Sequence, residues 1–169
     1  MSTPAKYSIK DLETLSNIKS HTIRIWEKRY DLLNPERTHT NIRYYTNEDL
    51  KKLLNISFLN KQGIKISKIV EMSESEIHQA VQSHSITESD HETFIENLIV
   101  AMIDMNEEGF QKVFTASTDH LGFEKAIYEI VFPFFKQIGV MWQVGAINPA
   151  QEHFVSNIVR QKIIGSTEE

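Results

Sequence analysis

The sequence has no cysteine, no apolar run of 18 residues, and only 4 prolines and 6 glycines among its 169 residues. Without cysteine, the chain cannot form a disulfide scaffold, a cysteine zinc site, an iron–sulfur cluster or a thiol nucleophile. A membrane-spanning helix needs a longer apolar run, and the N-terminus lacks the apolar segment of a secretory signal. We therefore expect a cytoplasmic protein that does not associate with membranes.

Charge is distributed unevenly along the chain, whose overall net charge is −5. Residues 1–72 contain 13 Lys and Arg against 8 Asp and Glu, a net charge of +5. Residues 73–169 contain 5 against 15, a net charge of −10. A basic part joined to an acidic part indicates a nucleic-acid-binding module attached to a second module. Because the basic excess is small, chance variation in composition is the alternative on charge alone.

The basic part begins with a pattern of short helices and a hairpin. Residues 7–30 are predicted to form two helices separated by a tight break, the helix-turn-helix arrangement. In the second helix, Ser20 is the expected N-cap. This helix carries Ile23, Ile25 and Trp26, of which Ile23 and Trp26 are expected on one face. Turn residues flank the β-prone run 42–45, which predicts a hairpin, or wing. A longer helix should follow, with Thr46 as its cap and Gly63 at its end.

The acidic part is predicted to be helical throughout. Four segments with apolar residues at helical spacing, joined by short connections, predict a four-helix bundle. Thr87 is the expected cap of the first helix, Pro133 should kink the third, and Asn148-Pro149 should start the fourth.

The predicted fold class is therefore mostly α, with two domains. We divide the chain into a winged helix-turn-helix domain over residues 1–75 and a four-helix bundle over residues 91–169. The polar residues 76–90 between them are expected to form a short helix and a linker.

The second helix offers the side chains that a recognition helix needs. Such a helix presents polar groups from its N-terminal turns to base edges while its apolar face packs on the first helix. Arginine is suited to guanine because it can bond to O6 and N7 together. The wing adds basic side chains that suit phosphate contacts. Taken alone, the same pattern also fits a solvated amphipathic helix beside a charged loop.

The order of these motifs resembles the N-terminal domain of MerR-family transcription regulators over residues 6–72. The matching motifs are Tyr7-Ser8-Ile9, Thr22-Ile23-Arg24-Ile25-Trp26-Glu27, Pro35-Glu36-Arg37, Arg43-Tyr44-Tyr45 and Asp49-Leu50. The resemblance implies a winged helix-turn-helix that binds double-stranded operator DNA as a homo-oligomer. The DNA contacts that it implies by position are His21, Thr22, Arg24, Lys28, Arg37, Arg43 and Tyr44. Trp26 is expected to be a core residue, and the lack of cysteine makes metal or thiol sensing unexpected.

A second motif lies near the end of the chain. Trp142, between Gly139 and Gly145, is followed by nine residues and then by Glu152-His153. Each of these residues also has a purely structural interpretation. Trp142 could be a core residue at a helix end, Glu152 could be favoured by the dipole of a helix N-terminus, and His153 could be a surface histidine.

The frame of this motif resembles the helical domain that caps cobalamin-binding modules. Its spacing resembles the light-responsive cobalamin repressors of the CarH/LitR type. The resemblance implies that Trp142 packs against the adenosyl group of adenosylcobalamin and that Glu152 accepts hydrogen bonds from it. His153, as a neutral imidazole, would ligate cobalt once light has removed the adenosyl group.

The same resemblance limits what these 169 residues are expected to bind. A cobalamin-binding module also needs an Asp-x-His-x-x-Gly motif and a parallel sheet, which this sequence does not contain. We expect adenosylcobalamin to bind only with a further C-terminal domain, and not tightly to residues 1–169.

The sequence thus predicts a DNA-binding transcriptional regulator, and the resemblance implies a repressor. We predict no enzymatic activity and no metal site, since no catalytic serine elbow, phosphate-binding loop or paired-carboxylate motif is present. As an alternative, the bundle is a protein-interaction or oligomerisation module that works without cobalamin. A cobalamin-dependent methyltransferase cap would share the bundle but would not explain the helix-turn-helix.

Overall fold

Helices make up most of both units into which the chain divides. The computed structural model describes residues 5–83 and 90–167, which belong to an N-terminal and a C-terminal unit. The predicted fold class, mostly α with a winged helix-turn-helix followed by a four-helix bundle, is confirmed. Within the described ranges, none of the helices has the length and apolar character that a membrane span requires.

Over residues 5–83, the N-terminal unit contains five helices and one two-stranded hairpin. In chain order they are α1 (Ile9–Ser16), α2 (Ser20–Tyr30), β1 (Glu36–Arg37), β2 (Arg43–Tyr44), α3 (Asn47–Lys61), α4 (Ile66–Ile69) and α5 (Glu74–Ser83). The strands pair in antiparallel register, with Glu36 opposite Tyr44 and Arg37 opposite Arg43, so the predicted wing is confirmed.

Helix α3 provides the centre of this unit. Thr46 caps α3 through a reciprocal pair of hydrogen bonds with Asp49, and Gly63 follows the helix with a φ of 95°, as predicted for both ends. The helix packs against α1, α4 and α5. Ile77 of α5 is buried, which places α5 with this unit rather than in a free linker. The boundaries drawn from the sequence stay a prediction.

The C-terminal unit is built from four long helical segments. They are α6 (His91–Ile103), α7 (Glu107–Leu121), a continuous segment made of α8 (Phe123–Ala126), a π-helical turn (Ile127–Val131) and α9 (Phe132–Gln143), and finally α10 (Pro149–Thr167). The core between them is aromatic and aliphatic. At its centre the rings of Phe110 and Phe134 meet edge to face, with their centroids 5.7 Å apart.

The third segment changes its helical geometry next to Pro133. Proline has no N–H group, so the carbonyl of Glu129, four residues earlier, lacks its usual helical donor. The π-helical turn Ile127–Val131 lies at this point, and the N–H of Phe132 donates to the carbonyl of Ile127, five residues earlier. The disturbance that we predicted as a kink at Pro133 is therefore a widened turn before it.

The ends of the bundle helices are fixed by side chains. The start of α10 is as predicted: the N–H of Asn148 donates to the Gln151 side chain over 3.1 Å, and the N–H of Gln151 donates to Asn148 Oδ1 over 2.9 Å. Helix α6 starts with Asp90, whose carboxylate accepts the N–H of Thr93 at 2.8 Å. Thr87, the cap predicted for this helix, lies outside the described residues.

Candidate functional site

One face of α2 presents the side chains that we predicted to contact DNA. His21, Arg24 and Lys28 are exposed, and their spacing of three and four residues places them on one side of the helix. Thr22 is half-buried beside them, and Ile23 on the opposite side is fully buried. As far as the structure describes the chain, Arg24 and Lys28 form no ion pair with a carboxylate. Both positive charges are therefore exposed and, within the described ranges, are in no direct ion pair.

Ile25 does not share the face of α2 on which Ile23 and Trp26 were expected. Its side chain is 42% exposed, whereas Ile23 is fully buried. Successive helical residues are about 100° apart, so residues 23 and 25 lie on opposite sides of the helix. Ile25 is exposed beside His21, at the edge of the face that carries Arg24 and Lys28. Trp26, expected in the core, is half-buried.

The start of α2 also differs from the prediction. Ser20 was expected to be the N-cap, but Lys19 has that position and makes no capping bond with its side chain. Instead, the carboxylate of Glu13 in α1 accepts the N–H of Ser20 at 2.9 Å and also accepts its hydroxyl. Helix α1 therefore caps α2. The hydrogen bonds from Ser20 hold the pKa of Glu13 below its ordinary value.

We expect Glu13→Gln to remove a pH-dependent part of the stability of the N-terminal unit. Because folding lowers the pKa of Glu13, its ionised form stabilises the fold at neutral pH, and this contribution is lost as the pH falls below 4.5 and through the lowered pKa. The melting temperatures of the wild-type chain and of Glu13→Gln should differ at pH 7 and converge in acid. The exposed Glu71, changed to Gln, is the control. A difference that stays constant with pH would contradict the capping role.

The wing carries the other predicted contacts. Arg37 and Arg43 are exposed on its paired strands, and Arg37 Nη1 donates to the carbonyl of Asn41 at 3.2 Å and to its Oδ1 at 3.1 Å. The hydroxyl of Tyr44 donates to the carboxylate of Glu36 across the strands, which raises the pKa of Tyr44. The Lys6 ammonium lies 4.8 Å from the centre of the Tyr44 ring. The wing is thus a basic hairpin that is stabilised by contacts between its side chains.

Sequence reasoning missed the bond that joins α2 to the wing. The hydroxyl of Tyr45, directly after β2, donates to the carboxylate of Glu27 on α2. The backbone of Tyr45 pairs in turn with that of Tyr7, through hydrogen bonds of 2.9 and 2.8 Å. Burial, followed by the bond to Glu27, raises the pKa of Tyr45. No local spacing rule relates residues 18 positions apart, so nothing in the sequence indicated this pair.

The second predicted site coincides with an open groove in the C-terminal unit. The groove has a volume of about 300 Å³. It is lined by Met102, Phe135, Ile138, Gly139, Trp142, Glu152, Val155 and Ser156. Its walls are mainly apolar, with one carboxylate and one hydroxyl. Among the described residues, no group of three His, Asp or Glu side chains is placed to hold a metal ion.

Two of the three residues predicted to contact the cofactor line this groove. Trp142 is 52% exposed, so the interpretation of Trp142 as a core residue is wrong. Glu152, at the start of α10, lines the same groove. His153 follows it and is exposed, but it is not among the lining residues. The structure therefore brings Trp142 and Glu152 together and leaves His153 outside.

Comparison with known families defines both units. Residues 7–76 match the MerR HTH family of regulatory proteins, and residues 94–164 match the B12 binding domain. The N-terminal unit is thus similar to MerR-type regulatory proteins, and the C-terminal unit is similar to B12 binding domains.

Two named regulators are similar to the chain over different lengths. The chain is 29% identical over 164 residues to the HTH-type transcriptional repressor CarH of Myxococcus xanthus. This match covers 94% of the chain and 55% of that repressor. The chain is also 32% identical over 65 residues to the HTH-type transcriptional regulator MlrA of Escherichia coli (strain K12). This second match covers 38% of the chain and 27% of that regulator. The chain thus spans about half the length of the CarH repressor that it matches.

Proposed function

We propose that the chain binds double-stranded operator DNA through α2 and the wing, acts as a repressor in the cytoplasm, and does so as a homo-oligomer. The observation that carries the proposal is the exposed face of α2. Arg24 and Lys28 stand there without an ion pair to any carboxylate among the described residues, and His21 lies beside them. A helix with such a face fits the major groove, where its side chains reach base edges.

In this proposal, α2 contacts the bases and the wing contacts the phosphates. Arg24 reads a base, because a guanidinium can bond to O6 and N7 of guanine together. Arg37 and Arg43 hold the phosphates on either side of the groove, together with Tyr44. The bond between Glu27 and Tyr45 fixes the helix to the base of the wing, so both elements would meet the duplex in one orientation.

The test is selection of preferred sites from a pool of random duplexes by the 169-residue chain. We expect one enriched sequence, whose affinity falls steeply with salt because phosphate contacts release counterions. An enriched site made of two inverted or repeated halves would support binding as an oligomer. If no sequence is enriched, or affinity does not depend on salt, the DNA-binding proposal fails.

For the C-terminal unit, we propose that the groove holds the adenosyl group of adenosylcobalamin in a protein that supplies the rest of the cofactor site. The lining residues fit such a group. The half-exposed indole of Trp142 offers a flat surface for an adenine ring, and the Glu152 carboxylate can accept bonds from ribose hydroxyls. A volume of about 300 Å³ suits one nucleoside rather than a whole corrin.

The cofactor would supply a light-sensitive cobalt–carbon bond, and thereby the proposed response to light. This chain's residues would orient the adenosyl group and shield it from water. The role of His153 as a cobalt ligand stays a prediction, because its side chain does not line the groove.

We expect adenosylcobalamin to shift the indole N–H resonance of Trp142 in an ¹⁵N spectrum, and methylcobalamin to leave it in place. The methyl form lacks the group that the groove would hold. The chain has two tryptophans, so Trp26→Phe assigns the resonance. Glu152→Gln should weaken the response, whereas Glu108→Gln, an exposed change on α7, should not.

Equal shifts with both cobalamins would contradict the proposed groove, and so would the lack of a shift with either one once the rest of the cofactor site is supplied. The bundle would then be an interaction module, the second candidate function. One observation favours that alternative. Tyr128 and Phe132 are exposed on the third segment with their rings in edge contact, 5.3 Å between centroids, and offer apolar surface to a partner.

A further inference from the structure

An exposed apolar side chain lies beside His21 at the edge of the basic face of α2, and we propose that this residue, Ile25, recognises the 5-methyl group of a thymine in the DNA major groove. This inference rests on the DNA binding proposed above and adds a residue that determines sequence specificity. Ile25 is 42% exposed. It lies four residues after His21 and three before Lys28, and it follows Arg24 directly.

The surrounding contacts fix this orientation. Ile23, on the opposite side of α2, is fully buried. Glu13 holds the first residue of the helix, and Glu27, near its last turn, holds Tyr45. Since α2 is attached to other elements near both ends, it cannot rotate to bury Ile25 without breaking these bonds. The isoleucine is therefore presented wherever the basic face is presented.

Position distinguishes Ile25 from an ordinary exposed apolar residue. Single isoleucines on a protein surface are common and need no explanation. Ile25, however, lies among the positive charges that attract phosphates, so DNA binding would remove it from water. In the major groove, every base edge offers hydrogen-bonding groups, but thymine alone adds a methyl group. An isoleucine has no hydrogen-bonding group, so it favours thymine over the other bases.

Replacement of thymine by deoxyuridine tests this inference directly, because it removes the methyl group and nothing else. In the duplex selected by the wild-type chain, each thymine is replaced singly and the affinity is measured by competition. We expect one position in each half-site to weaken binding about fourfold, the effect of exposing one methyl-sized group. Ile25→Ala should bind the unmodified duplex at least about fourfold more weakly and should not respond to deoxyuridine at that position.

The matched control is Ile42→Ala, which changes an isoleucine that is 63% exposed in the wing. That variant should respond to deoxyuridine as the wild type does. If no replacement affects the wild type, or if Ile25→Ala responds as the wild type does, the inference is overturned. If the wild-type chain selects no duplex at all, the failure belongs to the proposed DNA binding and not to Ile25.

Discussion

Phe134→Ala is expected to lower the free energy of unfolding of the C-terminal unit by about 3–5 kcal/mol. The side chain is fully buried, and its ring meets Phe110 edge to face at 5.7 Å. Truncation removes this contact and leaves a cavity that rigid helices cannot fill. Amide hydrogen exchange in α7 and α9 measures the effect in this unit alone, because those amides exchange only when the bundle unfolds.

The control for this prediction is Trp142→Ala on the same helix. Because Trp142 is 52% exposed, its removal should change bundle stability by about 0.5 kcal/mol or less, the usual range for surface positions. Similar losses in the two variants would mean that Trp142 is packed as a core residue. A small loss for Phe134→Ala would mean that the bundle repacks around the vacated space.

Arg24→Ala is expected to weaken binding to the selected duplex by about 1–3 kcal/mol while changing the affinity for random duplexes much less. The guanidinium is exposed, has no carboxylate partner in the described part of the chain, and lies on the face of α2 that would enter the groove. Competition binding with selected and random duplexes at one fixed salt concentration measures both quantities.

Arg37→Ala is the comparison for Arg24→Ala. A phosphate contact in the wing carries no sequence information, so its loss should weaken both duplexes equally and lower the salt dependence by about one ion. If Arg24→Ala behaves in the same way, Arg24 contacts the backbone and does not read a base.

Local signals predicted most of the fold. Thr46, Gly63 and Asn148 act within a few residues of their own position, so the start of α3, the end of α3 and the start of α10 could be located from the sequence. Apolar spacing then identified the helices of both units. These features depend on backbone hydrogen bonds at helix ends and on helical periodicity. Both are determined by residues that are close together in the sequence.

Contacts between elements could not be predicted in this way. Glu13 and Ser20 are seven residues apart on different helices, and Glu27 and Tyr45 are 18 apart. Each pair forms only because tertiary packing brings two elements together. The depth of burial has another cause. Spacing placed Ile23 and Trp26 on one face of α2, but tertiary packing buries Ile23 fully and Trp26 only half.

The candidate groove was predictable in part. The pair Trp142 and Glu152 came from a resemblance and not from periodicity, since nine intervening residues cross from one helix to the next. The lining residues Met102 and Phe135 lie on helices whose spacing did not separate core positions from groove positions. Which of them border a groove depends on how the four helices pack.

The attachment of α2 near both of its ends has a consequence for the duplex. Glu13 and Tyr45 hold the helix before any DNA arrives, so its orientation is settled by folding. A recognition helix held in this way changes its orientation little when it binds. The DNA must therefore deform wherever its groove width or curvature does not match the protein. The deformation costs less for flexible steps such as TA and CA than for stiff tracts. Site preference would then extend to base pairs that no side chain touches.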